Sequence, residues 1–274
     1  MHSECDTTRA RSGPTLGRLE RWLSRNVPRG CRDVLRWTRN RIVRLATLGS
    51  GCYCPVCQHK FRRFVTGGVI PRPHAACPVC RCLERDRLAW LYLENKTDLY
   101  DGRPKRLLHI APEPRFAAKF RQVKSLDYLS ADLSSPLAMV HFDITSIPYP
   151  DESFDVIYCS HVLEHVSNDR QAMAEFQRVL RAGGWAMVMV PIEGNVTHED
   201  PTISTPAARL RAFGQEDHVR IYGADIVDRL RRAGFDVRAD AYGMDLDDRQ
   251  RLAMGFDASE QIFFCRKLAP NQKS

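Results

Sequence analysis

The 274-residue chain predicts an α/β fold, a mainly parallel sheet covered on both faces and preceded by a small cysteine-rich module. Three observations carry this expectation. From residue 106 onward, strand-like apolar runs alternate with helix-like segments, the order that builds parallel sheets. Six of the ten cysteines fall between positions 52 and 82. An apolar content of 43% over this length suffices for one substantial core plus an accessory module.

Taken in order, residues 1–50 hold 11 Arg against 4 acidic residues, which accounts for most of the net charge of +8. Leu16, Leu19, Trp22 and Leu23, then Val34, Leu35, Ile42 and Leu45, recur at helical spacing between the arginines. The segment reads as a basic amphipathic arm, partly disordered or docked on its own domain, and RNA phosphate or anionic lipid is its possible partner. No run approaches 18 uncharged apolar residues, so no transmembrane segment is expected. The opening MHSECDTTRARSGPT lacks an apolar h-region, which points to a cytoplasmic location.

Residues 51–84 form the second expected unit. Cys54-x2-Cys57 and Cys77-x2-Cys80 are two tight turns that each aim two thiolates at one point, the pattern of a tetrahedral Zn2+ site. Four protein sulfurs leave no open position, so the metal is expected to be structural. Cys52 and Cys82 are spare ligand candidates, with His59 and His74 weaker ones. QHKFRRFVTGGVIPRPHAA between the pairs reads as a short hairpin, and LERDRLAWLYLENK after them as a connecting helix.

Residues 85–274 carry the main domain. RLLHIA is a buried strand, PRFAAKFRQV a helix, SLDYLSA a second strand and AMVHFDI a short third. SFDVIYCS is a fourth strand, DRQAMAEFQRVLRAGG a helix closing on a Gly pair, and WAMVMVP a fifth strand. After a long polar stretch come the helix GADIVDRLRRAG, the strand FDVRAD and a final QIFFCRKL. Ligands of such sheets sit at the carboxyl ends of the strands. Polar residues collect at those ends: His109 and Glu113 flank the first, Asp132 ends the second, Asp143 the third, and Ser160 with His161 the fourth.

DITSIPYPDESFDVIYCSHVLEHVSNDRQAMAEFQRVLRAGGWAMVMVP resembles the body of class I S-adenosylmethionine-dependent methyltransferases of the type 11 group, and the resemblance runs over about 106–266. It implies a Rossmann-like, seven-stranded mainly parallel sheet in which QIFFCRKL is the antiparallel last strand. It also implies that Asp132 binds the ribose hydroxyls of S-adenosyl-L-methionine and that Asp143 with the Ile144 backbone holds the adenine. Ser160 and His161 would then stand near the methionine end. The family's first turn is glycine-rich, whereas this chain has Ala111-Pro-Glu113-Pro-Arg115. A cofactor without phosphate asks for an acceptor near its amine and donors near its carboxylate. His109, Ala111 and Glu113 are assigned to that end, with Arg115 and the helix amino terminus facing the carboxylate.

Methyl transfer needs an oriented acceptor and, for a hydroxyl, removal of a proton. Among His161, Glu164, His165, His198, Glu199, Asp200 and the EDHVRIYG stretch, the expected catalytic set is His218, His161 and Asp217, with His218 as base. SHVL stands where nucleobase amino methyltransferases carry an Asn/Asp-Pro-Pro-aromatic run, so an oxygen or carbon of a small molecule or glycan is the favoured acceptor. Three alternatives stay open: an RNA methyltransferase, a non-catalytic zinc-organised RNA-binding scaffold, and a zinc hydrolase of the H-x-x-E-H type on His161, Glu164 and His165.

Overall fold

The structure, a computed structural model, describes residues 38, 41–256 and 260–269. Two compact units emerge, Met1–Leu48 and Gly49–Ser274. Of the first, residues 41–47 are helical. The rest of the arm's expected helical spacing lies outside the described residues. No helix among the described residues is long and apolar enough to cross a membrane.

The second unit opens with the cysteine module. Strands β1 (Leu48–Cys54) and β2 (His59–Phe61) pair, and β3 (Val65–Gly67) with β4 (Arg72–Ala76) forms the expected hairpin. A turn follows each cysteine pair, and Gln58 and Arg81 take left-handed φ of +56° and +66° there. Helix α1 (Glu84–Lys96) starts directly after the second pair, and the Asp86 carboxylate accepts from Leu83 N at 2.8 Å to cap it.

The central sheet has the order β12-β13-β9-β8-β5-β6-β7. Strands β5 (Lys105–Ile110), β6 (Leu126–Asp132), β7 (Val140–His141), β8 (Phe154–Ser160) and β9 (Leu180–Met189) run parallel. The last strand β13 (Ile262–Arg266) is antiparallel to both β9 and β12 (Asp236–Asp240), as the resemblance implied. Between them run helices α2 (Pro114–Phe120), α3 (Asp169–Val179), α4 (Pro206–Phe213), α5 (Ile226–Arg232) and α6 (Asp248–Met254). A two-residue strand pair, β10 (His198–Glu199) with β11 (Arg220–Ile221), lies outside the main sheet.

Strand alternation divides the core in two. Leu107, Val156, Tyr158, Met187 and Met189 pack with α1, α2 and the cysteine module, while Leu108, Ile110, Ile157, Cys159 and Val188 pack against α3 and α5. The cysteine module therefore shares a core with the sheet. Arg87, fully buried, donates to the carbonyls of Ala75, Cys82, Met254 and Gly255, tying module and carboxyl-terminal segment together.

Several boundaries differ from expectation. The helix expected over 169–184 ends at Val179, because Leu180 already pairs with Phe154 and the Gly pair is drawn against strand β8. A Cβ on Gly184 would stand 2.7 Å from the Asp155 carbonyl oxygen, so only glycine permits that approach. The third strand shrinks to Val140–His141 at the sheet edge, where one neighbour supports it.

Candidate functional site

The parallel strands deliver their carboxyl ends to one edge, and there a cleft of about 420 Å³ is lined by Ile110, Ala111, Asp132, Leu133, Phe142, Asp143, Ile144, Thr145, Val162 and His165. Asp132 accepts from Ser134 N at 2.8 Å and Ser135 N at 2.7 Å, both on Oδ1, which leaves Oδ2 without a protein donor. Asp143 Oδ1 likewise accepts from Thr145 N and Oγ1 at 2.8 Å, fixing the turn that presents Ile144. Apolar walls with a few fixed carboxylates suit a nucleoside.

Two non-glycine residues take left-handed backbone angles at the strand tips. Ala111 has φ +49° and hands its N–H to Ala131 O at 2.8 Å, and His161 has φ +54° with its N–H on Met189 O at 2.8 Å. Ala111 thus adopts the glycine-type bend without glycine, a cost of order 1–2 kcal/mol for an L-residue.

A buried polar group lies beyond the cleft. His109, fully buried, places Nδ1 3.1 Å from Tyr128 Oη and Nε2 2.6 Å from Glu113 Oε2. Glu113 is therefore held in place through one oxygen. Ser160 stands beside Tyr158 without meeting hydrogen-bond geometry, and Tyr158 Oη, His161 Nε2 and Glu164 Oε2 are buried with no partner. Buried polar atoms without a partner are costly.

Arg115 departs from the expectation. Its Nε donates to Cys80 O at 3.2 Å, turning the guanidinium toward the cysteine module and away from any carboxylate in the cleft. The following helix has seven residues and begins at Pro114, which has no N–H to offer. The residue missed from sequence is Asp86. Burial first, then the Glu113 carboxylate, pushes its carboxyl up to about 6, and His161 also acts on it. Asp86 therefore belongs to the same electrostatic group as Glu113, contributed by a helix that had looked like a connector. An acidic residue followed by Arg87 on the buried face of that helix was the available signal.

The proposed base group also resolves. His218 is buried, its ring centroid 4.6 Å from that of His165, and burial with the neighbouring His165 holds its imidazole below the ordinary value. Asp217 is exposed and faces His165 Nδ1 at 3.3 Å. Arg220 bonds Glu199 at 2.9 Å and the carbonyls of Leu163, Val166 and Ser167. His161 faces Glu164 Oε1 at 3.3 Å from the strand end, while Leu163–His165 is a single 3-10 turn. The structure does not bring His161 and His165 together on one α-helical turn, as the H-x-x-E-H chemistry requires.

In the cysteine module, Cys54, Cys57, Cys77 and Cys80 gather all four sulfurs within 4.8 Å of one another. Cys54 Sγ to Cys80 Sγ is 3.5 Å and Cys57 Sγ to Cys77 Sγ is 3.8 Å. A tetrahedron with Zn–S bonds of about 2.3 Å has edges of about 3.8 Å, so the quartet fits Zn2+. Cys52, Cys82, His59 and His74 stand outside it.

Residues 96–188 match the family model described as a methyltransferase domain. A probable S-adenosylmethionine-dependent methyltransferase of Mycolicibacterium smegmatis is 33% identical over 124 residues, 43% of this chain and 44% of that protein. An uncharacterized methyltransferase of Bacillus subtilis, YcgJ, is 33% identical over 75 residues, 27% of this chain and 28% of that protein. The aligned part thus spans less than half the length of the curated relatives it matches. Among solved structures, an S-adenosylmethionine-dependent methyltransferase from Mesorhizobium loti aligns over 65% of this chain and 97% of its own, at 14% identity and a TM-score of 0.49.

Proposed function

We propose, from the premise that this chain carries a class I S-adenosylmethionine-dependent methyltransferase domain, that it methylates an oxygen or carbon of a small molecule or sugar. The observation that carries this reading is the convergence of Ala111, Asp132, Asp143 and Ile144 on one cleft. Asp132 Oδ2 would accept from the ribose hydroxyls, and Asp143 with the Ile144 backbone would frame the adenine. Glu113, with Asp86 behind it, would accept from the ammonium of the methionine end, and Ser160 and His161 would close that pocket. The cofactor supplies an electrophilic methyl group on a positively charged sulfur.

The chain's own task is orientation and proton handling. His218, kept neutral by burial, is the proposed base toward an acceptor hydroxyl, and Asp217 orients His165 beside it. A second cleft of about 370 Å³, lined by Ser167, Asn168, Glu199, Asp200 and Arg209, adjoins the first through Ser167 and Asn168. Its polar lining supports a hydroxylated acceptor. The Cys54, Cys57, Cys77 and Cys80 quartet is proposed to hold a structural Zn2+ that braces α1, and through it Asp86. The test is mass-spectrometric tracing of isotope-labelled methyl groups in a lysate, with and without RNase. Label on a small molecule or glycan supports the reading, and label on RNase-sensitive material replaces it with an RNA methyltransferase.

A further inference from the structure

Glu164, His165 and His218 offer an alternative to His218 acting as the base. Resting on the reading above, we propose that these three side chains form a second metal site, distinct from the cysteine quartet, that binds a divalent transition cation with an open position toward the cofactor cleft. One ligand atom from each residue lies within 4.8 Å of the others. Glu164 is 1% exposed, and its Oε2 has no partner while Oε1 faces His161 at 3.3 Å. A buried carboxylate oxygen with nothing to accept from is what a cation would satisfy.

Glu164 and His165 also have outer partners. His165 Nδ1 faces the Asp217 carboxylate at 3.3 Å, which leaves Nε2 for the cation. His218 is buried with its ring against that of His165. Metal-ligating histidines ordinarily have one nitrogen held by a carboxylate or carbonyl in this way. The two rings lie edge to face, 85° apart, with centroids 4.6 Å from each other.

The scaffold beneath is fixed in advance. Val219 N donates to Glu164 O at 2.9 Å, and Arg220 clamps the carbonyls of Leu163, Val166 and Ser167, so the turn after β8 and the loop before β11 move as one. Two histidines and a carboxylate with one position left open are the ligand set of catalytic rather than structural zinc. His165 lines the cofactor cleft, so that position reaches the place where an acceptor is methylated. A bound cation would polarise an acceptor hydroxyl, whose proton passes to water as the oxygen takes the methyl group and the sulfur keeps the C–S electron pair. In that form the His218 lone pair goes to the cation instead of a proton.

The test uses Co2+ on full-length protein whose cysteine site is loaded with zinc. About one further equivalent of cobalt should bind and give visible d–d absorption without the near-ultraviolet thiolate charge-transfer band. His218→Gln should abolish that absorption. Asp217→Asn, at an exposed residue that poses no risk to folding, should weaken cobalt binding roughly 10- to 100-fold. S-adenosylhomocysteine titration of the same samples separates the two claims: cobalt binding without nucleoside binding sinks the methyltransferase reading alone. Wild-type protein that binds S-adenosylhomocysteine but takes no second equivalent overturns the metal site, as does absorption unchanged in both variants.

Discussion

Replacing Asp132 by Asn probes the cofactor cleft with least damage to the fold. Both backbone donors of the Ser134–Ser135 turn go to Oδ1, so an asparagine oxygen can keep them, and only Oδ2 changes from a charged acceptor to an amide donor. The loss is then confined to the bonds expected from ribose hydroxyls to a carboxylate. Hydrogen bonds to a charged group contribute ~1.5–3 kcal/mol, so S-adenosylhomocysteine affinity should fall roughly 10- to 150-fold. Isothermal titration reads the affinity, and a thermal melt of the free protein reads the fold, which should shift little. Asp132→Ala removes the turn's acceptor as well and should lower the melting temperature in addition. Unchanged affinity in Asp132→Asn would mean that the tip of β6 does not hold the ribose, and the assignment of the cleft would fail with it.

Three further perturbations follow from the same geometry. Ala111→Gly relieves a left-handed φ of +49°, and after the unfolded-chain entropy of glycine the variant should be about 0.5–1 kcal/mol more stable by urea denaturation; a less stable variant would refute strain at that tip. Asp86 has its folded pKa raised to about 6, so its contribution to stability is present below about 4 and is lost as pH rises toward 6. Asp86→Asn should remove that slope and leave the free protein ~3 kcal/mol more stable than wild type at pH 7; parallel pH profiles of the two proteins would contradict it. Cys77→Ser should release zinc, measured by metal analysis, and remove stabilisation on the order of 10 kcal/mol from the module. Because Cys80 O accepts from Arg115, two residues after Glu113, the same variant should weaken S-adenosylhomocysteine binding, and full affinity in metal-free protein would show the module to be independent of the cleft.

The sheet was legible because its strands are buried on both faces and therefore read as continuous apolar runs, as in LLHI and VIYC. The cysteine quartet was legible because ligand spacing alone defines a knuckle. Asp132, Asp143 and Ile144 reached one cleft because strand ends share an edge whatever the loops do. Side-chain direction was not legible. Arg115 sits where a carboxylate partner was expected, yet the cysteine module packs against that turn and offers Cys80 O first, a long-range contact with no local signature. Glu113 is already tied to His109, which β5 buries so deeply that its ring needs an acceptor. Asp86 escaped notice because a carboxylate at the start of a helix ordinarily reads as a cap, and it does cap Leu83 N.

Helix α3 shows a second limit. DRQAMAEFQRVLRAGG has helical periodicity up to its Gly pair, but β8 captures the chain at Leu180, because pairing with an interior strand outweighs the weak local preference of one more turn. The arginine-rich segment had a clear pattern, and most of it falls on residues beyond those described.

The most direct measurement is a crystal structure of the protein grown with S-adenosylhomocysteine. The account predicts adenosine in the cleft between Ala111 and Ile144 with its ribose on Asp132, and the amino group on Glu113. A nucleoside bound elsewhere, or a cleft that stays empty at saturating ligand, would contradict it.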